Sequence, residues 1–401
     1  MEEFHVHRLR SLFVVTLATM SLLILGCPKD DMQPFRPVEK DYGRPLGPGE
    51  MALRKIGPDK YPDFSRAYYD RAALIASLDN SLAYLAKPSS KRYFPYLDVS
   101  HDRAVASLRR MRELLETVSS PQELDATIKR EFEVYQSVGC DDQGTVFFTG
   151  YYCPIFEGRR RHDSTFRFPL YRKPPDLVVD SEGMAQGRRT PEGAIVPYYT
   201  RREIEEGGVL NGLEIAFLKD PFEAYVATVQ GSTKLRLADG SLFELGYGGN
   251  NGHQYESVAK RMVADGALKR SEISLQAMLR YFAQHPRDVW KYTWQNPRYV
   301  FFQERAGGPY GSLNVPVTPY YSLATDKTVF PRACMAFFTT ELPDPQTRAV
   351  RPYASFTLDQ DTGGAIRAAG RSDIYIGIGA GAEAVAGRIG AEGKLYYMFV
   401  K

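Results

Sequence analysis

Leu358-Asp-Gln-Asp-Thr-Gly-Gly-Ala-Ile-Arg367 is followed, after two alanines, by Gly370-Arg-Ser-Asp-Ile-Tyr-Ile-Gly377. Asp361 and Asp373 stand twelve positions apart, each in what reads as a glycine-bordered turn leading into a strand. Glycines let backbone approach a ligand closely, and an aspartate held among them keeps few solvating waters. Desolvation of that kind raises a carboxyl pKa toward the range a general acid needs near neutral pH. Capping of an Asx turn is the alternative for either aspartate taken alone.

Outward from this stretch, the chain after Gly139 is punctuated by Gly, Pro and Asp and rich in tyrosine. Strands are expected at Val146–Tyr152, Tyr225–Gln230, Lys234–Leu237, Leu242–Leu245, Ala336–Thr340 and Leu395–Val400. Before Gly139 the apolar residues recur at helical spacing. Helices are expected from Phe64 to about Lys87, over Arg103–Val118, and from Ser120-Pro121 to about Tyr135. A helical interlude covers Ser257–Gln284. Trp290 and Trp294, at i and i+4, read as core residues of a helix. Strand and helix do not alternate as in a parallel α/β sheet. Gly377-Ile-Gly379-Ala-Gly381 imitates a nucleotide-binding loop, but only twenty residues follow it, too few for a βαβ unit. The alanine-rich run through Arg388 reads instead as a short helix before a last strand.

The first 26 residues read as a leader: His5, His7, Arg8 and Arg10, then fourteen mostly apolar residues from Leu12 to Leu25. That run is shorter than the ~20 residues a membrane span needs. Gly26-Cys27 resembles the cleavage box of bacterial lipoproteins, which makes Cys27 the expected lipidation site; an ordinary signal peptide with an incidental cysteine is the alternative. Pro28 in place of an aspartate suits sorting to the outer membrane, facing the periplasm. A net charge of +3 over 401 residues is too mild to suggest nucleic acid as partner. Cys140, Cys153 and Cys334 remain after the leader, and a Cys140–Cys153 bridge is permitted but not demanded. With no CxxC, no HExxH and scattered histidines, neither a metal site nor a cofactor is expected, and no GxSxG elbow is present.

Several short strings follow one another along the chain. They are Thr149-Gly-Tyr-Tyr-Cys-Pro154, Pro169-Leu-Tyr-Arg-Lys-Pro-Pro-Asp-Leu177, Tyr199-Thr-Arg-Arg-Glu-Ile204 and Val229-Gln-Gly-Ser232. Asn250-Asn-Gly-His-Gln-Tyr255, Ile273-Ser-Leu-Gln-Ala277, Asn296-Pro-Arg-Tyr-Val-Phe-Phe302 and the module from Leu323-Ala-Thr-Asp326 through Asp361 and Asp373 complete the set. Together they resemble the membrane-bound lytic murein transglycosylase A family, whose C-terminal domain is named for three aspartates.

The resemblance implies a mainly β protein with N-terminal helices, its double-psi β-barrel catalytic domain interrupted by a second β-domain, with a groove between them. On this reading residues 1–26 are the leader, 27–60 a flexible tether, and 61–153 the helical region with the first part of the barrel. Residues 154–306 form the insert, and 307–401 complete the barrel. The implied reaction is non-hydrolytic cleavage of the β-1,4 bond between N-acetylmuramic acid and N-acetylglucosamine in peptidoglycan, leaving 1,6-anhydromuramoyl ends. Asp373 matches the single acid/base residue, with Asp361 and Asp326 in support. Thr149, Tyr151, Gln230, Asn251, His253 and Gln276 fall in family strings as possible contacts to glycan strands; each is alternatively a polar residue satisfied by backbone.

Four residues at three places depart from the family pattern: Thr233 and Ser372 replace glycines, and Tyr320-Tyr321 stand where Arg-Ser is usual. A threonine at positive φ would be strained. Two other functions compete. One is a non-catalytic peptidoglycan-binding outer-membrane lipoprotein, which retention of Asp373 and its glycines disfavours. The other is a true hydrolase, which needs a second carboxylate from Asp141, Asp142 or Glu157. No oligomer interface is legible.

Overall fold

The computed structural model describes residues 40–401 apart from 68, 181–182, 270–272, 274, 345 and 348. Cys27, the leader and the start of the tether lie outside the described residues. In chain order the strands begin with β1 (Leu53–Lys55), β2 (Phe132–Ser137), β3 (Val146–Cys153), β4 (Ile155–Arg159), β5 (Phe168–Tyr171), β6 (Leu177–Val179), β7 (Ala185–Arg189) and β8 (Ile195–Val196). They continue with β9 (Glu214–Leu218), β10 (Thr233–Arg236), β11 (Leu242–Asn250), β12 (Val300–Glu304), β13 (Ser322–Ala324), β14 (Met335–Pro343), β15 (Val350–Asp361), β16 (Arg371–Ile378) and β17 (Gly390–Val400). The helices are α1 (Arg71–Leu85), α2 (His101–Thr117), α3 (Pro121–Glu131), α4 (Arg201–Gly207), α5 (Pro221–Gln230), α6 (Val258–Ala264), α7 (Leu275–Gln284), α8 (Asp288–Thr293) and α9 (Gly379–Ala386).

Two sheets carry the architecture. In the first, β17, β14, β15, β13, β16 and β3 pair in sequence, and β3 pairs back onto β17, so six strands form a closed ring. Closure leaves none of the six as a bare edge. Phe148, Phe338, Phe356, Ile374 and Tyr397 are among the side chains buried in one core that the ring shares with the N-terminal helices. Helices α1 and α2 pack on β15 and β17, outside the ring. The second sheet runs β12-β11-β10-β4-β9-β5, and a bridge between Arg172 and Phe302 links its two ends. The chain crosses between the sheets at Pro154, where β3 ends and β4 begins. Proline has no N–H for a ladder, so a strand breaks there at little cost.

The helices start where their caps dictate. Asp70, Ser100 and Ser120 accept hydrogen bonds from the backbone N–H groups of Ala73, Arg103 and Glu123. Leu108, Met111, Leu114 and Leu115 form the buried stripe of α2, each worth about 1.5–3 kcal/mol of apolar burial. Three expectations fail. The first helix does not begin at Phe64: Phe64–Arg66 is a separate 3-10 turn, and α1 starts only after the Asp70 cap. The third helix stops at Glu131, not Tyr135, because Phe132, Val134 and Tyr135 turn into a buried strand paired with β17. The strand expected at Tyr225–Gln230 is the second half of α5. Asp220 caps it through the N–H groups of Phe222 and Glu223, Pro221 opens it, and Gly231 closes it at φ 75°.

Smaller corrections concern single residues. Trp290 and Trp294 are half-buried and stack on each other with ring centroids 5.4 Å apart, outside the main cores. Cys140, Cys153 and Cys334 are all free and buried. Thr233 lies in an ordinary strand and carries no positive φ, and its hydroxyl donates to the Pro154 carbonyl at 3.3 Å. Ser372 is fully buried with its hydroxyl on the Ala324 carbonyl at 3.1 Å. The unusual backbone belongs to Tyr320, at φ 65°, whose N–H is held by the Tyr375 carbonyl.

Candidate active site

The turns expected around Asp361 and Asp373 are strands. Asp361 ends β15 and Asp373 lies within β16, with β13 between them. Ala324 on β13 is the register partner of both, and Thr149 on β3 is the next partner along, giving the row Asp361–Ala324–Asp373–Thr149. Adjacent strands lie ~4.8 Å apart, which puts the two aspartate backbones roughly 10 Å from each other. The residue between them is an alanine, so no large side chain fills the gap. A β-bulge after Leu323 sets this row: Leu323 pairs with Asp359 and Ala324 with Asp361, skipping Gln360. Gln360 points the other way, donating to the Ser77 carbonyl and the Ser81 hydroxyl of α1.

The row opens on a cavity of about 250 Å³ lined from both sheets. The ring contributes Gly150, Tyr151, Asp361, Gly364 and Asp373; the second sheet and its helices contribute Gln230, Tyr247, Tyr255, Arg298 and Val300. This is the placement a groove for an extended ligand would have. Asp361 is fully engaged: Oδ2 accepts from the Tyr151 hydroxyl at 2.8 Å, and Oδ1 accepts from the N–H groups of Ser312 and Thr362, both at 2.8 Å. Burial raises its pKa while those three bonds work in the opposite direction. Asp373 differs. Its Oδ1 is shut off from solvent and has no hydrogen-bond partner. Burial pushes its pKa up to about 6; the nearby Arg371 opposes the rise and Asp361 adds to it. Asp373 as a residue is partly exposed and lines the cavity, so a carboxyl group whose pKa is raised toward neutrality can hand a proton to a ligand there and take one back.

The remaining sequence-derived residues divide. Tyr151 and Gln230 line the cavity, and Gln230 also accepts from the Tyr152 N–H at 3.3 Å. Thr149 sits beside Asp373 in register and accepts from the Arg371 guanidinium at 3.2 Å. Asp326 is only 6 % exposed and is not among the lining residues; it accepts from the Ala368 N–H at 2.8 Å and from the Thr328 N–H and hydroxyl, which pins the loop between β15 and β16. Asn251 is 2 % exposed and spends its amide on backbone, donating to the carbonyls of Tyr199 and Pro297 and accepting from the Tyr299 N–H. His253 bonds the Tyr198 carbonyl at 2.8 Å, and Gln276 donates to Glu383. None of these last three lines the cavity. Asn251→Ala is therefore expected to lower unfolding free energy by about 1–3 kcal/mol, because buried backbone groups lose their partners. Chemical denaturation reads this directly, and an unchanged midpoint would return Asn251 to the list of ligand contacts.

Sequence reasoning passed over Arg298, Tyr247 and Tyr255. Arg298 sits inside a quoted string, but an arginine before a strand reads as solvated. The hydrolase candidates do not reach the cavity: Asp141 accepts from the N–H groups of Gln143 and Thr145, Asp142 pairs with Arg44, and Glu157 pairs with Lys219.

Comparison with known proteins places this geometry in context. Residues 147–303 match the model of the MltA specific insert domain, and residues 321–399 match that of the 3D domain. The membrane-bound lytic murein transglycosylase A of Escherichia coli K12 is 30 % identical over 280 residues, covering 68 % of this chain and 72 % of that protein. Its counterpart in Vibrio cholerae is 29 % identical over 391 residues, 96 % of this chain and 93 % of that one. Among solved structures, the membrane-bound lytic murein transglycosylase from Agrobacterium tumefaciens superposes with a TM-score of 0.72 at 26 % identity, over 87 % of this chain and 98 % of that one. Escherichia coli MltA with bound chitohexaose gives 0.68 at 22 % identity, over 90 % and 96 %, a likeness of fold.

Proposed function

The chain belongs to the membrane-bound lytic murein transglycosylase A family, and from that membership and the cleft we propose that it is a peptidoglycan lytic transglycosylase working through one carboxyl group, Asp373. It cleaves the β-1,4 bond between N-acetylmuramic acid and N-acetylglucosamine. The protonated Asp373 donates to the bridging oxygen as the bond to muramic C1 breaks, and the N-acetylglucosamine side leaves as an alcohol. The carboxylate then accepts the proton of the muramic C6 hydroxyl while O6 bonds to C1. The product end is a 1,6-anhydro ring, no water is consumed, and Asp373 finishes protonated as it began.

The observation that carries this reading is the contrast between the two cleft aspartates. A glycosidase in the usual sense needs two working carboxyl groups. Both Asp361 oxygens already accept hydrogen bonds from the protein, whereas Asp373 Oδ1 accepts none. Asp361 is then a support that holds Tyr151 and the turn at Thr362. We read the closed six-stranded ring as a double-psi barrel, the second sheet as the insert, and Cys27 as the acylated residue that tethers the enzyme to the outer membrane, facing the periplasm.

Mass spectrometry of digested sacculi tests the reaction. Anhydro-muropeptides released by the wild type and absent with Asp373→Ala are expected; reducing ends would identify a hydrolase, and untouched sacculi a binding protein. The pH profile gives a second check. The reaction begins from protonated Asp373, so kcat/KM should fall as pH rises through about 6. Arg371 favours the carboxylate, so Arg371→Gln should move that limb to higher pH. A limb that stays put would detach Arg371 from the titration.

A further inference from the structure

We propose that Arg298 is a specificity-determining residue that receives a carboxylate carried by the glycan, supplied by the lactyl group of muramic acid or by the stem peptide attached to it. The inference rests on the proposed function and names the part of the substrate that this side of the cleft reads.

Arg298 precedes β12 and lines the cavity opposite the aspartate row. It reaches across to the ring: a Cβ built on Gly364 would lie 2.9 Å from its Nε. Nη1 donates to the His253 carbonyl at 3.1 Å. A guanidinium carries five N–H donors in a planar fork, and among the described residues no carboxylate pairs with this one. Burial disfavours its charged form, the Tyr247 hydroxyl opposes this, and Arg367, a charge of the same sign, adds to it. Asp361 and Asp373 share the cavity, but the first is bonded to Tyr151, Ser312 and Thr362, and neither is hydrogen-bonded or ion-paired to Arg298.

Arg201, lining the same cavity, shows what a satisfied arginine looks like here. It pairs with Glu205 at 2.9 Å and donates to the Thr228 hydroxyl and to the carbonyls of Asn296 and Arg298. Arg298 has no such set. A half-buried cation facing a ligand cavity is stabilised when an anion arrives, and the guanidinium fork matches a carboxylate bidentately. Carboxylates are the anionic groups of a muramic acid glycan with its stem peptide.

Three defined oligosaccharides of alternating muramic acid and N-acetylglucosamine separate the sources: lactyl groups as free acid, as methylamide, or bearing the stem peptide. If the lactyl carboxylate is read, the wild type should favour the acid over the methylamide by about 10-fold or more in kcat/KM, chiefly through KM. Arg298→Gln should bring that ratio near one, with Arg298→Lys between. If the stem peptide is read, the peptide-bearing form should hold the preference, and Arg298→Gln should abolish that instead. Gly364→Ala, which pushes on the guanidinium without removing it, should shrink the same ratio and stands in if Arg298→Gln does not fold. Ratios equal in wild type and variants would overturn the proposal. Absence of anhydro products from all three substrates with the wild type would instead overturn the proposed function.

Discussion

Asp373→Asn should reduce the release of anhydro-muropeptides by about 10⁴-fold or more while the protein still folds and still binds glycan strands. General acid or base catalysis by one positioned group typically contributes 10²–10⁴-fold, and here a single carboxyl fills both roles in turn. The same substitution should stabilise the fold at alkaline pH. Asp373 has a native pKa raised to about 6 from an ordinary carboxylate value of 3.8. A group raised in this direction favours the native state below the unfolded pKa and loses that contribution as pH rises through the native value. Above pH 6 the native protein therefore carries a desolvated carboxylate that the amide removes, a gain of about 2 kcal/mol once the residual exposure of Asp373 is allowed for. Thermal melts at pH 3 and pH 8 measure it: the variant should gain on the wild type at pH 8 and not at pH 3, which lies below the unfolded value. Equal shifts at both pH values would mean that the environment of Asp373 is not what these contacts describe.

Lys327→Met should destabilise the ring by about 3–5 kcal/mol. Lys327 and Asp359 form an ion pair whose side chains are 5 % and 0 % exposed. Asp359 also accepts from the Tyr397 hydroxyl at 2.7 Å and from the Thr325 hydroxyl. Removing one partner of such a pair strands the other charge, which costs far more than the pair itself contributes. Lys327→Met combined with Asp359→Asn should recover most of the loss, since the stranded charge goes with it. Urea denaturation of Lys327→Met, Asp359→Asn and the double variant gives the cycle, and a loss under about 1 kcal/mol in Lys327→Met would contradict it. The effect reaches the active site because Asp359 and Asp361 lie two apart on β15, on the same face. The buried pair fixes the end of the strand that presents Asp361.

Much of this was legible in the chain because the signals are local. Strands such as β3, β14 and β17 follow from runs of aromatic and β-branched residues, and α2 from its apolar stripe. The failure at α5 is instructive. Tyr225–Gln230 has the composition of a strand, but Asp220-Pro221 and Gly231 mark a helix start and stop, and the termini decided the matter. At the site, Asp373 and Asp361 stood out by their glycines. Their placement in one row depends on a bulge at Leu323, which no local pattern reveals. Asn251 and His253 misled for a different reason: a polar side chain that bonds backbone carbonyls and one that bonds a sugar look the same until the fold is seen. Asp359, two positions before Asp361, went unremarked because its partner Lys327 is thirty-two positions away.

The most direct test follows the oxygen. Purified enzyme acting on a peptide-free muramic acid oligosaccharide in water enriched in ¹⁸O should yield anhydro ends carrying no label, at a rate that vanishes with Asp373→Asn. Label at muramic C1 in the first-formed product, or unlabelled product from the variant, would contradict a single carboxyl group acting as both acid and base.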